Sequence, residues 1–157
     1  MIFLQAVVRE TSNAAACFRL AEDHRIQLFI SRAILAEVIN VLSRDHIRQR
    51  FETITDDRVA KFIDRVRKAA TYLRTVPKHF DYQERDVKDE PYINLAVEVR
   101  ANYLVSRDTD LLDLMNWNQN TGREFQKRYR FLKILTPEPF LAEIEKDIIN
   151  PPNAGVV

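Results

Sequence analysis

Three short apolar runs, "IQLFIS" (26–31), "YLVS" (103–106) and "KILT" (133–136), are separated by long segments of helical periodicity. That alternation restricts the fold more than any other feature of the chain. Parallel neighbours need a crossover of a dozen or more residues, usually a helix, whereas hairpin strands do not. The pattern therefore predicts an α/β protein, a parallel sheet flanked by helices on both faces. The helical segments carry their own start signals. Ser12 or Asn13 caps a helix over 12–23, and Ser31 caps one over 32–44 whose Ile34, Leu35, Val38, Val41 and Leu42 share a face. Thr55, followed by two acids that suit the helix dipole, opens a longer helix over 55–73. Pro91 fits the first turn of a helix over 89–100. A short helix from about 109, a polar loop and a last helix over 137–146 complete the reading.

The 157 residues suit one domain with one sizeable core. No repeat or low-complexity linker divides them, and residues 147–157, ending in "NPPNAGVV", read as a flexible tail. Two glycines are too few for a phosphate-cradling loop. The lone cysteine, Cys17, excludes an internal disulfide and a cysteine-rich metal site; it reads as a small buried hydrophobe in a reducing, cytoplasmic setting. No apolar run reaches the roughly 20 residues that span a membrane, so no membrane association is expected. His24, His46 and His79 are scattered, with no serine or cysteine nucleophile near them, which argues against a triad hydrolase. The net charge is +1, yet basic residues gather at 43–50, 65–68 and 122–130 while acids gather at 86–90 and 108–113. A near-neutral total can thus contain a basic rim around an acidic pocket.

The acids carry the chemistry. "YLVSRDTDLLDL" (103–114) releases Asp108, Asp110 and Asp113 directly after a strand. In an open parallel sheet, ligands bind beyond the carboxyl ends of the strands. Asp108 and Asp110 belong at that edge, and Asp89 opens a helix leading back into the same strand, with Asp86 three residues before it. Glu37 sits early in a mainly apolar helix that starts at the same edge. Each has a plain reading alone: Glu37 as a surface acid, Asp89 as an N-cap, Asp113 as a surface residue. Convergence of Glu37, Asp89, Asp108 and Asp110 at one end of one sheet favours a hard divalent cation, Mg²⁺ or Mn²⁺, held by oxygen ligands. Such an ion positions and deprotonates water and stabilises charge developing on a phosphodiester.

"ISRAILAEVINVLSR", "RDVKDEPYINLAVEVRANYLVSRDTDLLDL" and "ILTPEPFL" together resemble the PIN-domain family, and within it the toxin components of bacterial toxin–antitoxin pairs. The resemblance covers about residues 3–143. It implies a Rossmann-like, three-layer fold over 1–146 and a Mg²⁺- or Mn²⁺-dependent endoribonuclease that cuts single-stranded RNA. The same likeness implies an antitoxin partner and a homodimer. By motif, Glu37, Asp89 and Asp108 take the places of family acids, Asp110 is auxiliary, and Ser106 stands where a small hydroxyl residue supports the metal; read alone, Ser106 is a strand-ending cap. One departure is large. "MIFLQAVV" resembles the segment that comes directly after the family's first strand and its aspartate. The chain as written is therefore expected to lack that strand, ~5–10 residues, and one acid. Two other functions stay open: a catalytically impaired relative that binds RNA or a protein partner, and a non-nuclease metal-binding α/β domain. A receiver-like module would need a phosphorylatable aspartate paired with a later lysine, and no such pair stands out.

Overall fold

The computed structural model describes residues 2–80, 87–147 and 155–156. Helix α1 (Ile2–Val8) and α2 (Asn13–Glu22) precede strand β1 (Gln27–Ser31). Then come α3 (Arg32–Ser43), α4 (Asp45–Arg50), α5 (Asp56–Ala69) and β2 (Ala70–Leu73). A 3-10 turn at Val87–Asp89 leads into α6 (Glu90–Glu98), followed by β3 (Tyr103–Val105), α7 (Thr109–Asp113) and α8 (Asn120–Arg128). The chain continues through β4 (Lys133–Leu135), α9 (Pro137–Asp147) and β5 (Gly155–Val156). The strands form one sheet in the order β2-β1-β5-β3-β4, every neighbouring pair parallel. The mixed α/β fold with helices flanking a parallel sheet is the architecture the alternating sequence predicted.

The predicted caps form. Ser12 Oγ accepts from Ala15 N–H, Ser31 Oγ from Ile34 N–H and Thr55 Oγ1 from Arg58 N–H. Each such cap stabilises its helix by about 1 kcal/mol. Side chains alternate across the sheet. Leu104 and Ile134 enter a core built with Ile93, Leu111, Phe125 and Tyr129, whereas Tyr103 joins the other core with Val38, Phe62 and Phe140.

Four stretches depart from the reading. The helix expected over 55–73 stops at Ala69, and Ala70–Leu73 become the edge strand β2, aligned with Leu28–Ser31. Pairing with β1 outweighs the helix propensity of "KAA", a tertiary effect that local sequence does not record. The polar loop after Leu114 contains α8, whose buried Phe125 anchors it. Gly122 conceals this helix: a Cβ there would stand 2.3 Å from the Asn116 carbonyl oxygen, so glycine is required by close approach rather than by a turn. The helix expected at 89–100 begins at Glu90, with Asp89 closing the preceding turn. Finally, the supposed tail is structured where described: Asp147 ends α9, and Gly155–Val156 lie at the centre of the sheet, pairing with Gln27–Leu28 and Tyr103. Residues 148–154, 157 and Asp86 lie outside the described residues.

A candidate metal centre at the carboxyl edge of the sheet

Strand β3 ends at Val105, and Ser106 extends its pairing by donating its N–H to Leu135 O. The chain then turns sharply. Ser106 Oγ accepts from Asp108 N–H at 3.0 Å, and Asp108 Oδ1 accepts from Asp110 N–H at 2.9 Å, capping α7. These two local bonds fix where both aspartates leave the backbone. Asp89 reaches the same place from the other side. It occupies the N-cap position of α6, as the plain reading has it, but in a helical conformation and with no side-chain cap bond, so capping does not account for its carboxylate. Asp89 is buried, Asp108 exposed and Asp110 half-buried, and one ligand oxygen from each lies within 4.8 Å of the others.

Like charges about 4 Å apart repel by roughly 1 kcal/mol in water and about 4 kcal/mol near a protein surface. A cation removes that cost. The donor set is all oxygen, with no histidine or cysteine in the cluster, and it fits a hard divalent ion of the Mg²⁺ or Mn²⁺ kind.

Glu37 shares the pocket with Asp89 and Asp108 but lies outside the three-acid cluster. Its Oε2 instead accepts the phenol proton of Tyr92 at 2.8 Å. Burial, reinforced by Glu37 and Asp89, pushes the Tyr92 hydroxyl well above its ordinary range, so it remains a neutral donor. Tyr92 went unnoticed in the sequence. Its signal was its place three residues after Asp89, on the same face of α6. Ser106 lines the pocket and acts on Asp108 through the bond above. Asp113, half-buried, stands apart from the cluster and is held by other contacts.

The loop that carries the acids is tied down from outside. Arg107 donates to Glu138 and to Gln5 Oε1, and Asn13 Nδ2 donates to Glu138 Oε1 at 3.0 Å. The Asn13 and Arg107 bonds pull the Glu138 carboxyl down from 4.5 to about 2. The predicted basic runs lie less favourably. Arg128 and Arg130 directly precede β4 and so sit toward the opposite, amino edge of the sheet. In the 43–50 run, Arg44 donates to Asn40, Arg48 pairs with Asp56, and Arg50 stacks on Phe51.

Beneath the acids, a half-open cavity of about 160 Å³ extends toward the apolar walls of Ala6, Cys17, Phe18, Ala21 and Phe140, with Val156 at its edge. Cys17 is buried there, its thiol pushed up to about 12 mainly by burial. That is the small buried hydrophobe expected of it.

The fold is a parallel α/β sheet with three carboxylates meeting beyond the end of β3, a donor set suited to a divalent cation. The sequence model of the PIN domain matches residues 1–110, and the chain belongs to that family. The matched span includes Glu37, Asp89, Asp108 and Asp110. PIN domains are in general metal-dependent nucleases that bind nucleic acid. Searches of curated proteins and of solved structures find no match. Among the described residues, no helix is long and apolar enough to cross a membrane.

Proposed function

We propose that this protein is a Mg²⁺- or Mn²⁺-dependent endoribonuclease that cuts single-stranded RNA. The observation that carries the reading is the meeting of Asp89, Asp108 and Asp110 within 4.8 Å beyond the end of β3. These three would hold the ion, which when bound supplies an activated water and a counter-charge for the phosphodiester. The remaining chemistry belongs to the chain. Tyr92 orients the Glu37 carboxylate toward the pocket, where it can position or accept a proton from water. Ser106 fixes the turn that presents Asp108, and Arg107 with Glu138 holds that turn against α1, α2 and α9. RNA is favoured chiefly by the resemblance of the sequence, and unstacked single strands offer an accessible phosphate to such an edge. The role of toxin in a toxin–antitoxin pair and the homodimer rest on the resemblance of the sequence, and the cytoplasmic setting on its lone cysteine, Cys17.

The same reading includes a further strand ahead of α1, ending in an aspartate. It rests on the resemblance of "MIFLQAVV" to the segment that follows such a strand in the family; in the structure, Gly155–Val156 lie between β1 and β3 at the centre of the sheet. A chain that works without that aspartate would fit the second reading, an impaired relative that binds RNA without cutting it. One assay separates them: cleavage of single-stranded RNA with Mn²⁺ by the chain as it stands and by a form preceded by an apolar strand ending in aspartate. In whichever form cuts, Asp89→Asn and Asp108→Asn should each lower the rate at least about a hundredfold, and Asp113→Asn should leave it nearly unchanged. Full cleavage by both site variants sinks the assignment; no cleavage by either form favours the binding module.

A further inference from the structure

Helix α6 separates two hollows at the carboxyl edge. Asp89 and Tyr92 face the acidic pocket, whereas Glu90, Pro91 and Asn94 line a second cleft of about 330 Å³ with Ser31, Ala33, Arg74, Val76 and Lys78. Its position is set by strand register. Leu73 pairs with Ser31 at the ends of β2 and β1, so Arg74 emerges at the edge where the carboxylates stand.

The wall of this cleft is built rather than incidental. Asn94 is only 7% exposed, and its Oδ1 accepts from the backbone N–H groups of both His79 and Phe80, at 2.7 and 2.8 Å. His79 Nε2 lies 2.5 Å from Glu98 Oε2, Tyr129 Oη donates to His79 O, and the Phe80 ring packs against Phe125. Residues 78–80 are thereby fixed to α6 and to the core beneath it. Two N–H donors at Oδ1 determine the amide's orientation, leaving its NH₂ group as the other end of a buried side chain on the cleft wall. That nitrogen donates to no described residue. Lys78 Nζ lies 3.4 Å from Glu90, which offsets its charge. Arg74 is exposed and pairs with no carboxylate among the described residues. The cleft thus combines one such guanidinium with a positioned amide donor, a set that suits a phosphate oxygen.

We propose that this cleft is a phosphodiester subsite of single-stranded RNA, next to the cutting position, with Arg74 and Asn94 as positioning residues. This rests on the nuclease reading and gives it a direction: the strand passes from the carboxylates over α6 and across the ends of β1 and β2, not toward the basic runs at 43–50 and 122–130. The subsite accounts for binding and not for chemistry.

The test is equilibrium binding of a labelled single-stranded oligouridylate across a salt series, with Mn²⁺-dependent cleavage measured in parallel on the form that cuts. Arg74→Glu should weaken binding roughly tenfold and lower the slope of log affinity against log salt by about 0.7. It should raise KM while leaving kcat within about twofold. Asn94→Asp keeps the acceptor for His79 and Phe80 but replaces the donor with a carboxylate oxygen, and it should weaken binding in the same direction. Arg67→Glu, a charge reversal near the amino end of β2, should change binding much less. Wild-type affinity and salt slope in both Arg74→Glu and Asn94→Asp, with cleavage intact, overturn the subsite alone. If the wild type neither binds nor cuts the strand, the subsite and the nuclease reading fall together.

Discussion

The two apolar cores on either side of the sheet close to different degrees. The smaller one, under α6, α7 and α8, is tight: Leu104, Phe125 and Ile134 are at most 2% exposed, and Phe80, Phe125, Tyr129 and Phe131 follow one another edge to face or tilted. The larger one, under α1, α2, α5 and α9, holds more of the described residues but is entered by the 160 Å³ cavity beside Val156 of β5. The acids divide along this line. Asp89, Asp108 and Asp110 sit at the starts of α6 and α7, which send Ile93, Ala96 and Leu111 into the tight core, while Leu95 of α6 reaches the larger one. Glu37 rides on α3, whose Ile34, Leu35 and Val38 belong to the looser one, and it is the predicted acid outside the cluster. Side chains hold a metal geometry only as firmly as the packing beneath them.

The largest expected effect breaks the tight core. Phe125→Ala should lower stability by about 3–5 kcal/mol, read from denaturant midpoints, because the removed ring leaves a void that neighbours cannot fill. Ala96→Leu in the same core should cost about 1–3 kcal/mol by overpacking. Ala21→Leu beside the cavity should cost nothing or stabilise by about 0.5–2 kcal/mol. Equal penalties for the two Ala→Leu changes would erase the contrast between the cores.

A middle-sized effect concerns the cation. At an Mn²⁺ concentration about a hundred times Kd, binding to the folded state alone adds about 2.7 kcal/mol. Thermal unfolding should therefore shift upward in the wild type and hardly at all in Asp108→Asn. Without metal, Asp108→Asn should match or exceed the wild type, since asparagine keeps the cap on α7 and removes a repelling charge. A metal shift of equal size in both proteins would remove Asp108 from the site.

The smallest effect belongs to the surface tie that steadies the acid-bearing turn. The Glu138 carboxyl titrates at about 2 in the folded protein instead of 4.5. A depressed carboxyl contributes stability that is fully present above its unfolded value and disappears as pH falls toward the folded one. Between about pH 4.5 and 2, the wild type should lose stability more steeply than Glu138→Gln, and the two curves should run parallel above pH 5. The group is nearly half exposed, so solvent keeps the difference modest. Parallel curves throughout would show that the Asn13–Glu138–Arg107 tie carries no such energy.

Local chemistry made much of this molecule legible in advance. Ser12, Ser31 and Thr55 announce their helices because a cap is a bond between a side chain and a backbone three residues away. The strands ending at Ser31, Val105 and Leu135 announce themselves as apolar runs, and the acids by their place after or between them. The features that went unread depend on partners far along the chain. Whether "ATYL" continues a helix or forms a strand is decided by Leu28–Ser31, some forty residues earlier, and whether Gly155–Val156 dangle or enter the sheet is decided by β1 and β3 together. Tyr92 gains its meaning only when α6 packs beside α3 and its hydroxyl meets Glu37, 55 residues before it. The sequence by itself determined the elements, their order and the oxygen-only donor set. Only the tertiary structure decided which acids meet and which core supports them. The reason is physical: capping and periodicity act over a few residues, while strand pairing and burial join segments whose separation the linear pattern does not encode.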